Sequence, residues 1–202
     1  MTKVASSHLI RTEKQLAALI SAARQEVVDV LAQMGTVSVA EIAATLGRPA
    51  DALYFHFRAL IKAGLVRQAG YRSRAGRKEA LFRTVAPELR LHYDTHSESN
   101  RRAVSAIVSS MLRLGIRDFR RAFQQTDVIV SGAQRELWAL RKTGRLSLAE
   151  IAGVNRSIER LTHAVSKPHG RGRLYGITVL LTPLDHRSRE SKRSKNSQGA
   201  KK

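Results

Sequence analysis

The 202-residue chain has no cysteine, one tryptophan and four prolines, and its 16 Asp+Glu are outnumbered by 36 Lys+Arg. Without cysteine there is no disulfide, thiolate metal site or cysteine nucleophile. No apolar run approaches the roughly 18 residues of a membrane span. The opening Met-Thr-Lys-Val-Ala-Ser-Ser lacks the apolar core of a secretory signal. Phosphate-cradling glycine loops, paired-carboxylate signatures and nucleophile elbows are also missing, so the chain does not read as an enzyme and no cofactor is expected. The scarcity of acid leaves a formal charge of +20 and a pI near 11.4. Such an excess points to a polyanionic partner, though charge alone does not separate DNA from RNA or from an anionic membrane surface; the location expected is cytoplasmic and nucleoid-associated. A hydrophobic content of 43% excludes wholesale disorder, and the length suits one or two domains with a real core.

The positive charge is spread along the chain. Residues 1–90 hold 14 basic and 7 acidic residues, and residues 91–185 hold 15 and 8. The last segment, 186–202, holds 7 and 1 and contains no large apolar residue. It reads as a disordered basic tail that touches phosphate without reading sequence, or as a solubilising end.

The order of elements in the first ninety residues says more. After an N-terminal arm (1–14), Leu16 to Met34 has helical apolar spacing with a break near Ser21, and Gly35 stands at its C-cap. Ser38-Val-Ala-Glu41 is a capping box opening a short helix that Gly47 ends. Arg48-Pro49 restarts the chain, and Leu53, Phe57, Leu60 and Ile61 form an apolar stripe running to Gly64. Two helices joined by a short glycine-containing turn are a helix-turn-helix. Leu65-Val66 opens an extended stretch, and Ala80 to Val85 returns. The tip between them carries Arg67, Arg72, Arg74, Arg77 and Lys78 and no acid before Glu79, which makes the hairpin a basic wing.

Arg24-Gln-Glu-Val-Val-Asp-Val-Leu, Val39-Ala-Glu-Ile-Ala-Ala-Thr-Leu-Gly and Leu53-Tyr-Phe-His-Phe-Arg-Ala-Leu-Ile-Lys-Ala-Gly-Leu-Val together resemble bacterial ArsR-like winged helix-turn-helix regulators over residues 15–90. The resemblance implies that the helix at 49–63 enters the major groove of double-stranded DNA and that the wing at 67–78 meets backbone or minor groove. Removing the inward stripe leaves Ala50, Asp51, Tyr54, Phe55 and Arg58 facing out, with Arg48 just before them. Arg58 suits a guanine or a phosphate, Tyr54 a phosphate and Phe55 a thymine methyl. The bland readings are that Phe55 packs on the wing and Asp51 caps the helix. For the wing, Arg72, Arg74, Arg77 and Lys78 are expected on phosphate, and His56 reads equally as a backbone contact or a structural hydrogen bond.

Residues 91–97 read as a linker, and 98–185 as a helical or α+β module. A long helix from Glu98 to Gln125 carries Val104, Val108, Met111 and Phe119 on one apolar seam. That seam is expected to form a homodimer interface; packing on the helix's own domain is the alternative. Strands are expected at 134–142 around Trp138 and at 173–181, with a capped helix from Ser147-Leu-Ala-Glu150 between them. The box nearly repeats the one at Ser38, but the segment after it lacks a turn, so a second reader is not expected. His92 and His96 have the four-residue spacing of a metal pair, yet no cluster completes a coordination sphere and no metal is expected.

The whole therefore reads as mainly α with small β (α+β), an N-terminal winged helix-turn-helix followed by a long dimerisation helix and a small α+β module. The function this implies is a homodimeric, sequence-specific transcriptional regulator, with repression one possible sign of regulation. Two alternatives stay open: a non-specific architectural or RNA-associated basic protein, and the same DNA reader with small-molecule sensing near Trp138 and Tyr175.

Overall fold

The structure is a computed structural model in which residues 7–74, 76–166 and 172–184 are described. The basic tail 186–202 lies outside the described residues, as do residues 1–6 of the expected arm. The rest of that arm is built into the fold. Strand β1 (Ser7–Ile10) pairs in parallel with β5 (Glu88–Leu91), and Ile10 is buried. The linker expected at 91–97 accordingly begins one residue inside a strand. Neither strand has a sequence signal of its own. Each is four residues long, and the pairing joins segments some eighty residues apart.

Helix α1 (Glu13–Leu19) is opened by a capping box, in which the Gln15 amide donates to the Thr12 hydroxyl while the Gln15 side chain accepts from the Thr12 amide. Ile20-Ser21 separates it from α2 (Ala22–Met34), where the expected break falls. Gly35 ends α2 with φ 80°, a region open to glycine. A two-residue strand, β2 (Val37–Ser38), leads into α3 (Val39–Leu46), whose Ser38–Glu41 box has both bonds in place, at 3.3 and 2.9 Å. Gly47 caps α3 in the left-handed region, and α4 (Ala50–Lys62) starts after Pro49. Strands β3 (Val66–Arg74) and β4 (Arg77–Thr84) form the wing hairpin, with β2 on the outer side of β4. A bulge falls between Gln68 and Gly70.

One core holds these elements together. Leu31, Ile42, Leu60 and Leu65 are essentially inaccessible, and Phe57 meets Phe82 of the wing at 5.2 Å between ring centroids. Helix α5 (Glu98–Phe123) joins the same core by its first turns, since Val104 and Ile107 are buried in it. The buried Gln25 amide fixes that contact, donating to the Leu19 carbonyl at 2.6 Å and the Ile107 carbonyl at 3.1 Å. Asp94 and Ser97 organise the approach to α5: the Asp94 carboxylate accepts from the His96 and Ser97 amides, and Ser97 caps Asn100.

Beyond α5 the expected α+β module is not formed within one chain. Helix α6 (Leu148–Ser166) exists and opens on the Ser147–Glu150 box. The strands expected at 134–142 and 173–181 are absent. Both stretches have strand-like composition, but a strand exists only where a neighbour supplies its hydrogen bonds, and here none does. Residues 173–184 are nevertheless anchored. Arg173 pairs with Glu136 at 3.0 Å and with Asp127 at 2.9 Å, and the Tyr175 hydroxyl bonds to Glu136. Thr178 lies against α5 so closely that a Cβ at Gly115 would stand 3.2 Å from its hydroxyl oxygen.

Candidate nucleic-acid interface

Two surfaces meet the requirements of a DNA reader, the outer face of α4 and the wing. Leu53, Phe57 and Leu60 turn α4's apolar stripe inward, so 3.6-residue periodicity sends Asp51, Tyr54, Phe55 and Arg58 outward. Phe55 is 71% exposed and Tyr54 46% exposed, so neither packs on the wing. Asp51 lies in the first turn of α4 but makes no cap bond, since Pro49 occupies the N-cap and has no side-chain acceptor. Among the described residues, Arg58 has neither an ion pair nor a side-chain hydrogen bond. Ala50 differs from the expectation: it is half-buried and packs on the core at the helix start.

Two of the expected DNA contacts are committed elsewhere. Arg48 pairs with Glu26 of α2 at 2.5 Å, and the same carboxylate holds Arg117 of α5 at 2.5 Å. Its charge is thus spent on fixing the turn before α4. In the wing, Arg72 is held by Glu41 at 3.0 Å and Glu79 at 2.8 Å. These partners hold the Arg72 guanidinium above its usual pKa, Glu79 first. In turn the Ser38 amide and Arg72 hold Glu41 below the usual carboxylate range. Arg72 therefore braces the wing against the start of α3. Charge pairing of this kind depends on which carboxylates the fold brings near, and linear sequence does not display it.

The remaining wing cations are free to meet a ligand. Arg74, Arg77 and Lys78 are exposed at the hairpin tip, and the Lys78 ammonium stands 4.2 Å above the exposed Tyr71 ring. Tyr71 was not anticipated as a site residue. Its signal is an aromatic opposite a lysine in a basic hairpin, an amphipathic pair that offers both a stacking face and a charge. His56 is half-buried with no partner on Nδ1, and desolvation followed by Arg24 and Arg48 lowers its pKa. It serves the inner side of α4 rather than the outer face.

The expected dimer seam divides along α5. Val104 is taken up by the chain's own core, Val108 and Met111 are half-buried, and Phe119 is exposed and stacks on Phe123 at 6.0 Å. The single Trp138 is 67% exposed under the Arg135 guanidinium, so it lines no enclosed cavity within one chain. His92 and His96 flank a turn instead of sharing a helix face.

Comparison with known proteins bears on the first half. A family model described as a helix-turn-helix domain matches residues 19–69. No curated protein matches the chain. A crystal structure of RV1404 from Mycobacterium tuberculosis is 16% identical over 74% of this chain and 84% of that one, with a TM-score of 0.27, too low to bear on fold or function. No helix of the described residues is long and apolar enough to cross a membrane. The matched segment runs from the end of α1 through α2, α3 and α4 into β3, so residues 19–69 are a helix-turn-helix domain of the ArsR type.

Proposed function

We propose that this chain is a sequence-specific transcriptional regulator that binds double-stranded DNA as a homodimer. Helix α4 lies in the major groove and the wing tip on the backbone or minor groove. The observation that carries this reading is the outer face of α4, where Asp51, Tyr54, Phe55 and Arg58 stand exposed beside the exposed wing cations Arg74, Arg77 and Lys78. A face with two large aromatics and a free guanidinium has chemistry for base edges as well as phosphate. Dimerisation places two such helices on inverted half-sites about 34–36 Å apart. Arg48 and Arg72 hold the reading elements in place, and Arg74, Arg77 and Lys78 supply the charge.

Selection from a random duplex library at about 0.15 M salt tests the reading. An enriched inverted repeat is the expected result, whereas uniform retention overturns sequence reading in favour of an architectural role. On the selected site, Arg58→Ala weakens binding by about 1–3 kcal/mol while affinity for random duplex barely changes. Arg77→Ala lowers both equally and flattens the salt dependence.

A further inference from the structure

The chain after residue 111 has a surface that one copy leaves uncovered. It contains nineteen of the twenty-seven exposed large hydrophobics, and none of its described residues is buried. At roughly half exposure each, these side chains show on the order of 1,000 Å² of apolar surface. A stable complex needs about 800 Å² per partner.

The backbone is uncovered too. Among the described residues, no amide or carbonyl of residues 174–184 has a backbone partner, although Arg173 and Tyr175 tie the segment to Asp127 and Glu136 after α5 and Thr178 lies against Gly115 of α5. Leu174 to Leu184 also has no charged residue, in a chain of net charge +20. A nucleic acid or an acidic protein finds no attraction there, while two copies of the segment approach one another without repulsion. In an extended chain Leu174, Gly176, Thr178 and Leu180 share one face, and Tyr175, Ile177, Val179 and Leu181 the other. Thr178 lies against Gly115, and both faces keep apolar side chains 39–53% exposed.

We propose that residues 174–184 pair as a strand with the same segment of a second copy, antiparallel about a twofold axis. This pairing satisfies the free backbone edge of 174–184 and brings its seven exposed hydrophobics against a second copy. Such an interface is isologous and closes on itself, so assembly stops at two. The inference rests on the homodimer reading above and specifies where that dimer is made.

The absence of cysteine makes the test clean. Single cysteines are placed in the full chain at each position from 175 to 181 (Tyr175→Cys, Gly176→Cys, Ile177→Cys, Thr178→Cys, Val179→Cys, Leu180→Cys, Leu181→Cys), with Ser73→Cys in the wing as control. A twofold axis sets one residue of the strand opposite its own copy, where the Cβ atoms lie about 4.5–5.5 Å apart, within disulfide reach. Mild oxidation therefore links two chains best at the residue on the axis and not at the control. Sedimentation of the unmodified chain at micromolar concentration gives a dimer. Hydrogen exchange of that same protein is slowed at least about tenfold at alternate amides within 174–182, those that face the partner strand, relative to an unstructured chain. A dimer with fast exchange there and no selective cross-link overturns the strand pairing but leaves the homodimer reading standing. A monomer overturns both.

Discussion

The molecule divides at Ser110. Every buried side chain among the described residues lies at or before that position, and none lies after it. Yet α6 has as regular an apolar repeat and as complete a capping box as α3. Helix α3 is packed on α4 and β2, whereas α6 has no buried residue, and the groove beside Val154 and Ile158 is lined by its own helix and Leu146. Local signals thus decide what an element is, and a partner surface decides whether it becomes part of a core.

Core truncation breaks this contrast most severely. Phe57→Ala should cost about 3–5 kcal/mol, seen as an unfolding midpoint in urea that does not shift with protein concentration. Leu140→Ala, at a site 71% exposed, should cost less than about 0.5 kcal/mol in the monomer. A concentration-dependent loss for Leu140→Ala would assign it to the assembled state.

A smaller effect is expected at the caps. Ser38→Ala removes a buried hydroxyl that accepts from the Glu41 amide, and should cost about 1–2 kcal/mol by the same measurement. Ser147→Ala removes the equivalent bond on an exposed helix. It should shorten α6 by circular dichroism while leaving the cooperative transition of the first half unchanged.

The smallest effect is electrostatic. The Asp29 side chain is exposed, but desolvation of its carboxyl, with Glu26 and Asp118 nearby, raises its pKa to about 6. A raised carboxylate pKa costs nothing below the unfolded value of 3.8, and the cost grows with pH until it is complete above about 6. Asp29→Asn should therefore flatten the fall in melting temperature between pH 4 and about 7, and slightly raise it at pH 7. An unchanged profile would remove Asp29 from the charge cluster that joins α2 to α5.

The regions also differ in how far sequence discloses them. Ser38–Glu41, Gly47 and the Leu53–Phe57–Leu60 stripe name their elements because cap and period act within a few residues. The outward placement of Tyr54, Phe55 and Arg58 follows from the same period. Strands β1 and β5 escape notice because their parallel pairing is a long-range event between two four-residue segments. Arg48 and Arg72 look like free cations in the sequence; only folding brings Glu26, Glu41 and Glu79 to them. The residues at 173–181 have a strand's composition, and composition cannot say whether the neighbour lies in the same chain.

Helix α5 belongs to both regions. Its 26 residues extend about 39 Å. Val104 and Ile107 are set in the core, while Phe119 and Phe123 lie outside it. It is a stiff lever with its fulcrum in the winged helix. A tilt imposed at Phe123 reaches Gln25 and the Glu26 carboxylate that grips Arg48 without passing through a flexible joint. Through Arg117, Glu26 and Arg48 the middle of α5 and the entrance of α4 share one carboxylate.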